Sequence, residues 1–357
     1  MPASTVTHIL QENYIIAKIH GEKGSLLAPH QLYSLTEFRT QNEIIGALSE
    51  GPYGRELSKL REESSPIETE RAIRLGFART VRTLMSSSQG SERIFFRQFT
   101  RRFEAYDLAA LVLFKAQGKT WEEFVATRQP LAIFKEAELH HLYSLDDLHS
   151  IIATVHDRAL ELRTQGFSMT EMDGLNASLL RDVIAGWGEE RFYKYVSEHL
   201  SGADKAQCSP IAGSAVDIGN LTIILRSKLI GATSIRDHLI PSFWKLDSRT
   251  VEQLLAFQDV NQALDSLSSH HYYGRILGGA RQKFEESKSL SFLEIALRKY
   301  QLKLSKRIFL GFPYSLGTIL AFLIFKENEA KNISAVLTGL EAGLPQTELR
   351  SLLSLSD

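Results

Sequence analysis

Between Ile308 and Asn332 the chain reads IFLGFPYSLGTILAFLIFKENEAKN. No Asp, Glu, Lys, Arg or His occurs from Ile308 to Phe325, and then Lys326, Glu327, Asn328 and Glu329 follow as one block. An uncharged run of about 18 residues is long enough to be a candidate membrane span. Pro313 breaks it, because a proline in a helix interior lacks the N–H that the ladder requires. Pro313, Tyr314 and Ser315 read instead as a helix start with Ser315 at the N-cap. The charge-free helical part is then Ser315–Phe325, which spans only ~16 Å at about 1.5 Å per residue. A bilayer core is about 30 Å thick, and Lys326 to Glu329 would sit inside it at a high cost. A helix apolar on every face for nearly three turns belongs to the buried centre of an all-helical protein. The stretch therefore predicts an all-α fold and no direct membrane insertion.

The rest of the composition is consistent with this. The chain has 357 residues, 43% hydrophobic and 23% charged, which is globular composition with length for two or three domains. A net charge of −1 gives no concentrated basic face, so nucleic acid is not an expected partner. Cys208 is the one cysteine, which excludes an intramolecular disulfide framework and argues against a cysteine metal site. The opening MPASTVTHILQENYIIAKIH has neither a basic n-region nor a continuous apolar h-region. It does not read as a signal peptide, and the expected location is cytoplasmic.

Apolar residues three and four apart recur along almost the whole chain. Ile73, Phe77, Val81 and Leu84 form one stripe, and similar runs cover Tyr106–Ala116, Met172–Ile184, Gly188–Leu200, Asp217–Leu229, Val251–Ala256, Phe292–Ile308 and Ser315–Leu340. The chain also resembles itself. LYSLTEF at Leu32–Phe38 returns as LYSLDDL at Leu142–Leu148, and NEIIGAL at Asn42–Leu48 has counterparts at His149–Val155 and Asp259–Leu264. YGREL at Tyr53–Leu57 returns as YGRIL at Tyr273–Leu277. YDLAALVLFKAQG at Tyr106–Gly118 matches VDIGNLTIILRSKLIG at Val216–Gly231, each an acidic residue opening an apolar helix. In order, these matches suggest three similar helical domains, 1–105, 106–215 and 216–357, too long for an ordinary solenoid repeat. KAQCSPIAGSA at Lys205–Ala215 reads as a linker, and SSSQGS at Ser86–Ser91 as a break between helices.

No catalytic constellation stands out. His140, His141 and His149 surround Asp146 and Asp147, but without HExxH spacing and where a helix start is expected. His270 and His271 precede Tyr272 and Tyr273 at an expected helix end. GEKGS at Gly21–Ser25 and GRILGGA at Gly274–Ala280 lack the phosphate-loop pattern, and Cys208 has no evident activating partner. The pairs Glu62-Glu63, Glu122-Glu123 and Glu285-Glu286 lie beside Arg or Lys in surface-like settings. No catalytic residue, cofactor or metal is expected. The alternatives are an all-α metal-dependent enzyme built on His140, His141 and Asp147, or an unrelated helical scaffold. Lys326 to Glu329 fills one complete turn of an apolar helix, so at least one charge must face the packed side. Lys326 and Glu329 stand three apart and can pair. Asp217 and Asn220 show the same spacing on another apolar helix, where they can fix helix ends or loops.

Phe312–Leu352 resembles the C-terminal signature of the C subunit of A-type and V-type rotary ATPases, whose eukaryotic counterpart is the V-ATPase d subunit. The family pattern is an aromatic or proline entry, an apolar helix, Lys-Glu-x-Glu-x-x-Asn and a Gly-Leu-Pro turn. Lys326, Glu327, Glu329, Asn332 and Gly343-Leu344-Pro345 match it. Asp217, Asn220, Arg226 and Lys228 are similar to the family's Asp-x-x-Asn helix with terminal Arg-x-Lys, and Tyr14–Leu35 resembles its opening helix. Ala110 departs from the pattern where Asp217-x-x-Asn220 suggests an asparagine. The resemblance implies three helical domains in a pseudo-threefold funnel on the cytoplasmic face of the membrane. It also implies a non-catalytic role in the central stalk, joining the membrane rotor ring of proteolipid subunits to the central shaft during proton or sodium transport. The eight matched residues on the two apolar helices are the expected structural or interface positions.

Overall fold

The computed structural model describes residues 14–355 except 62, 171, 233 and 234. The N-terminal segment read for a signal peptide lies mostly outside the described residues, as does Glu62 of the Glu62-Glu63 pair. Regular structure is all-α, with no strand among the described residues. The helices are α1 (14–23), α2 (Pro29–Leu35), α3 (Gln41–Ser49), α4 (Gly54–Leu57), α5 (Pro66–Ser86), α6 (Gly90–Ala116), α7 (Trp121–Thr127), α8 (Glu136–Ser144) and α9 (Leu148–Thr154). They continue as α10 (Arg158–Arg163), α11 (Gly174–His199), α12 (Gly202–Ile230), α13 (Ser248–Ala256), α14 (Val260–Leu267), α15 (Gly274–Ser287), α16 (Ser291–Phe309), α17 (Leu316–Glu341) and α18 (Gln346–Leu352).

Local chemistry sets many of these starts. Thr40, Ser65 and Thr120 accept the N3 amide while Glu43, Glu68 and Glu123 reach back to the cap amide, forming capping boxes on α3, α5 and α7. Asp147, Asp157, Asp173, Asp247 and Asp259 cap α9, α10, α11, α13 and α14. Pro29 and Pro66 open α2 and α5, where a missing N–H costs nothing.

The expected break at Pro313 separates α16 from α17, and the break at Ser86–Ser91 separates α5 from α6. Two expectations need correction. Lys205–Ala215 is not a linker: it lies inside α12, with Pro210 in the helix interior. Its small residues serve close packing, since a Cβ on Gly213 would lie 2.4 Å from the Trp244 ring. The runs Met172–Ile184 and Gly188–Leu200 form one helix, α11, because Gly188 sits against Ala105 and the Arg102 carbonyl rather than in a turn. By length and composition α12 could cross a membrane, but 67% of its most apolar window is buried within the protein, as in a core helix.

The chain divides into two compact units. The first comprises residues 1–97, 201–211 and 298–357, the second 98–200 and 212–297. In the first unit α17 is the central helix and packs on α5, α2 and α18. All of its residues from Leu316 to Ile324 are buried. In the second unit Leu108, Leu111 and Val112 of α6 pack with Phe124, Leu139, Ile151, Leu160, Ile184 and Trp187.

Candidate functional site

The charged turn of α17 lies in the core. Lys326 is 1% exposed and Glu329 3%, far from the solvated face on which an i,i+3 pair usually lies. Lys326 Nζ pairs with Glu329 Oε1 at 2.5 Å and lies 4.5 Å from the centre of the Tyr53 ring. The Tyr53 hydroxyl donates to the same oxygen at 2.8 Å, and the Leu27 amide donates to Oε2. A cation, a phenol and a loop amide thus share one buried carboxylate, which compensates the desolvation of the pair. Burial, and then the charge of Glu329, holds the Tyr53 hydroxyl well above its ordinary pKa. Gly76 makes room for the ring, since a Cβ there would come within 2.6 Å of Tyr53 Cδ1.

One turn further on, Asn332 grips the backbone after α18. Its Nδ2 donates to the Ser354 carbonyl at 2.9 Å and its Oδ1 accepts the Ser354 amide at 2.9 Å. Asn328 donates to the same carbonyl at 2.8 Å. Glu327 is buried and pairs with Lys331 at 2.6 Å.

The second unit repeats this chemistry on α12. Asp217 is fully buried and accepts the Tyr273 hydroxyl at 2.7 Å and the amides of Trp244, Lys245 and Leu246 at 2.8, 2.6 and 3.1 Å. Burial outweighs these donors and raises the Asp217 pKa. Asn220 donates to the Ile240 carbonyl at 3.1 Å and accepts the Ile240 amide at 2.8 Å. The pattern acid, two residues, asparagine therefore performs the same task at Glu329–Asn332 and at Asp217–Asn220: the acid and the amide each hold a loop backbone. On α6 the acid is Asp107, which accepts the Gln129 amide at 2.6 Å and pairs with Arg128 at 3.4 Å. Ala110 stands where the asparagine would be and has no side chain to hold a loop.

Arg226, one of the expected structural or interface positions, is buried and bridges Asp182 and Glu294 at 2.6 Å each. Lys228 donates to the Leu255 carbonyl at 2.8 Å, and burial lowers its pKa. The start of α17 also differs from expectation. Ser315 occupies the N-cap position, but its side chain does not cap; it donates to Gln207, and Asp204 accepts the Leu316 amide at 2.8 Å.

Asp147 and His140 of the metal-enzyme alternative have structural contacts. Asp147 caps α9, and its hydrogen bonds from the Ser150 hydroxyl and amide lower its pKa. His140 meets the Trp121 ring edge-on at 5.0 Å. Among the described residues no group of three or more His, Cys, Asp or Glu side chains is placed to hold a metal ion. Burial, with the charge of Asp204, pushes the Cys208 thiol well above its ordinary pKa, which disfavours the nucleophilic thiolate.

A family model described as ATP synthase (C/AC39) subunit matches residues 15–352. The chain belongs to that family. Relatives of this C/AC39 member include the A-type ATP synthase C subunit of Methanocaldococcus jannaschii, 24% identical over 95% of this chain and 85% of the relative. The counterpart from Pyrococcus abyssi is 22% identical over 95% and 89%, and that from Methanothermobacter thermautotrophicus 24% identical over 96% and 87%. In this C/AC39 member the eight residues singled out by the sequence all lie on α12 and α17. Asp217, Asn220, Arg226 and Lys228 are on the first, and Lys326, Glu327, Glu329 and Asn332 on the second. Sequence reasoning missed their partners Tyr53, Tyr273 and Ser354. The repeated Tyr-Gly-Arg was the available signal: in both copies the tyrosine meets the buried acid. In both, the glycine lets a turn carbonyl approach, where a Cβ would lie 1.9 Å from the Ser49 oxygen at Gly54 and 2.4 Å from the Ser268 oxygen at Gly274.

Proposed function

We propose that this chain is a non-catalytic central-stalk component of an A/V-type ATP synthase, seated on the cytoplasmic face of the membrane and coupling the rotor ring to the central shaft. The observation that carries the reading is the match to the ATP synthase (C/AC39) subunit family across residues 15–352. The relatives are named as the C subunits of A-type ATP synthases. The geometry supports it physically. A part that transmits torque must resist shear, and its loops are tied to core helices by buried carboxylates and amides rather than by exposed pairs that solvent weakens. Glu329, Asn332, Asp217 and Asn220 are such ties.

The domain organisation forms part of this proposal. Three similar helical domains, 1–105, 106–215 and 216–357, arranged as a pseudo-threefold funnel would give a ring-shaped partner a matching seat. Support comes from the recurrence of an acid on a long helix holding a loop amide at Asp107, Asp217 and Glu329. The recurrence of Tyr-Gly-Arg at Tyr53 and Tyr273 points the same way.

The assignment is tested by affinity capture. The purified full chain, presented to detergent-solubilised membranes containing the rotary complex, is expected to retain rotor-ring and shaft subunits. Retention of neither would refute the reading.

A further inference from the structure

The connection from α16 to α17 combines two features that internal packing does not use. Leu310, Phe312 and Tyr314 are 68%, 55% and 56% exposed, and the two aromatic rings support each other edge-on at 5.9 Å. The connection between α5 and α6 carries polar residues instead, Ser87, Ser88 and Gln89. Secondly, the sequence from Ile295 to Phe325 contains Arg298, Lys299, Lys303, Lys306 and Arg307 but no acidic residue. Lys299, Lys303, Lys306 and Arg307 are exposed.

A cavity of about 350 Å³ adjoins this loop within the first unit. Most of its wall is apolar, with Leu26, Leu32, Leu302, Phe309 and Phe325, while Lys23, Lys306, Asn328, Glu329 and Ser354 supply its polar part. Lys23 Nζ lies 4.5 Å from the Phe309 ring centre. The volume falls in the range of about 300–1,000 Å³ typical of small-ligand sites.

We infer that the α16–α17 loop, with the lysine-edged cavity beside it, is a contact site for an anionic phospholipid surface. Phe312, Tyr314 and Leu310 enter the interfacial layer, Lys23, Lys306 and Arg307 meet headgroup phosphates, and the cavity receives an acyl chain. Exposed aromatic and aliphatic side chains beside a basic helix face are the features of interfacial binding. Exposed apolar side chains beside an acid-free run of five basic residues complement an anionic lipid surface, and that charge match favours lipid over a protein partner. The side chains reach only the interfacial layer, and no part of the chain spans the bilayer. The site does not depend on the coupling role, because vesicles free of every other ATPase component test it.

The experiment is flotation of the purified full chain with vesicles of phosphatidylcholine alone or containing about a quarter phosphatidylglycerol. Binding is expected to the anionic vesicles, weaker to the neutral ones and lost at high salt. Lys306→Glu with Arg307→Glu should weaken binding about tenfold or more. Phe312→Ser with Tyr314→Ser should abolish it, while Ile133→Ser, at another exposed apolar residue, leaves it unchanged. Circular dichroism and thermal melting should match wild type for all these surface variants. Absence of vesicle binding, or equal binding by the loop variants, overturns the inference. Capture of a solubilised rotor ring through Phe312 and Tyr314 without vesicle binding also overturns it, and assigns the patch to a protein partner.

Discussion

Tyr53 and Glu329 stand 276 positions apart in the chain and meet in a 2.8 Å hydrogen bond inside the first unit. The bond joins a short helix near the N-terminus to the charged turn of α17. Tyr273 and Asp217 form its counterpart at 2.7 Å. In each case the tyrosine satisfies a carboxylate that also holds a loop amide, so removing the hydroxyl loosens both loop and helix. Tyr53→Phe and Tyr273→Phe are each expected to lower unfolding stability by about 1.5–3 kcal/mol, the range for a hydrogen bond to a charged group. Urea denaturation checks this, and an unchanged midpoint for both variants contradicts it.

Lys326 and Glu329 desolvate together. Lys326→Met leaves the Glu329 charge buried beside a phenol and an amide, at an expected cost of about 3–5 kcal/mol. Adding Glu329→Gln to that variant should cost less than the sum of the single changes, because the stranded charge is then gone. A double-mutant cycle that is additive would show that the pair is not coupled.

Asp217 supplies a pH signature. Its folded pKa lies above the ordinary 3.8, with burial the largest cause. The folded state therefore holds the proton more tightly than the unfolded chain. This group's contribution is complete below the unfolded value and is lost as pH rises through the raised folded value. Across that acid window the stability of wild type should fall relative to Asp217→Asn, then run parallel above it. A difference that grows in favour of wild type as pH rises would contradict the assignment.

Asp204, not Ser315, caps α17 through its side chain. Asp204→Ala should cost about 0.5–2 kcal/mol and speed hydrogen exchange at the Leu316 amide. Ser315→Ala should leave that amide's protection intact. Faster exchange in Ser315→Ala alone would reverse the assignment.

Two glycines separate steric need from backbone freedom. Gly76→Ala drives a methyl against Tyr53 and is expected to destabilise by about 1–3 kcal/mol. Gly46 lies within α3 with nothing within 4 Å of a built Cβ, so Gly46→Ala should stabilise by about 0.4–1 kcal/mol. Equal thermal shifts in the two variants would remove the packing argument.

Local pattern carried the fold well where local forces decide it. Pro313 announced the break before α17, and the Ser144–Asp147 stretch announced the start of α9. Lys326 and Glu329 could be paired from spacing alone, but their burial could not be read, because Tyr53 and Leu27 come from about three hundred positions away. The Lys205–Ala215 stretch misled for a related reason. Serine, glycine and alanine look alike in a turn and in a tight helix contact, and only Trp244 across from Gly213 tells them apart. Arg226 showed its place at a helix end, while Asp182 and Glu294, which neutralise it, come from other helices. The Tyr-Gly-Arg repeat was visible throughout, but its meaning required the carboxylates it meets.

The most direct test of coupling is the ratio of ion transport to ATP hydrolysis in membrane vesicles bearing the rotary complex, with this chain deleted and then restored. Coupling through this chain predicts that hydrolysis by the head continues without it, that ATP-driven ion transport disappears, and that adding the purified chain restores transport. Undiminished transport per ATP in its absence would contradict the central claim.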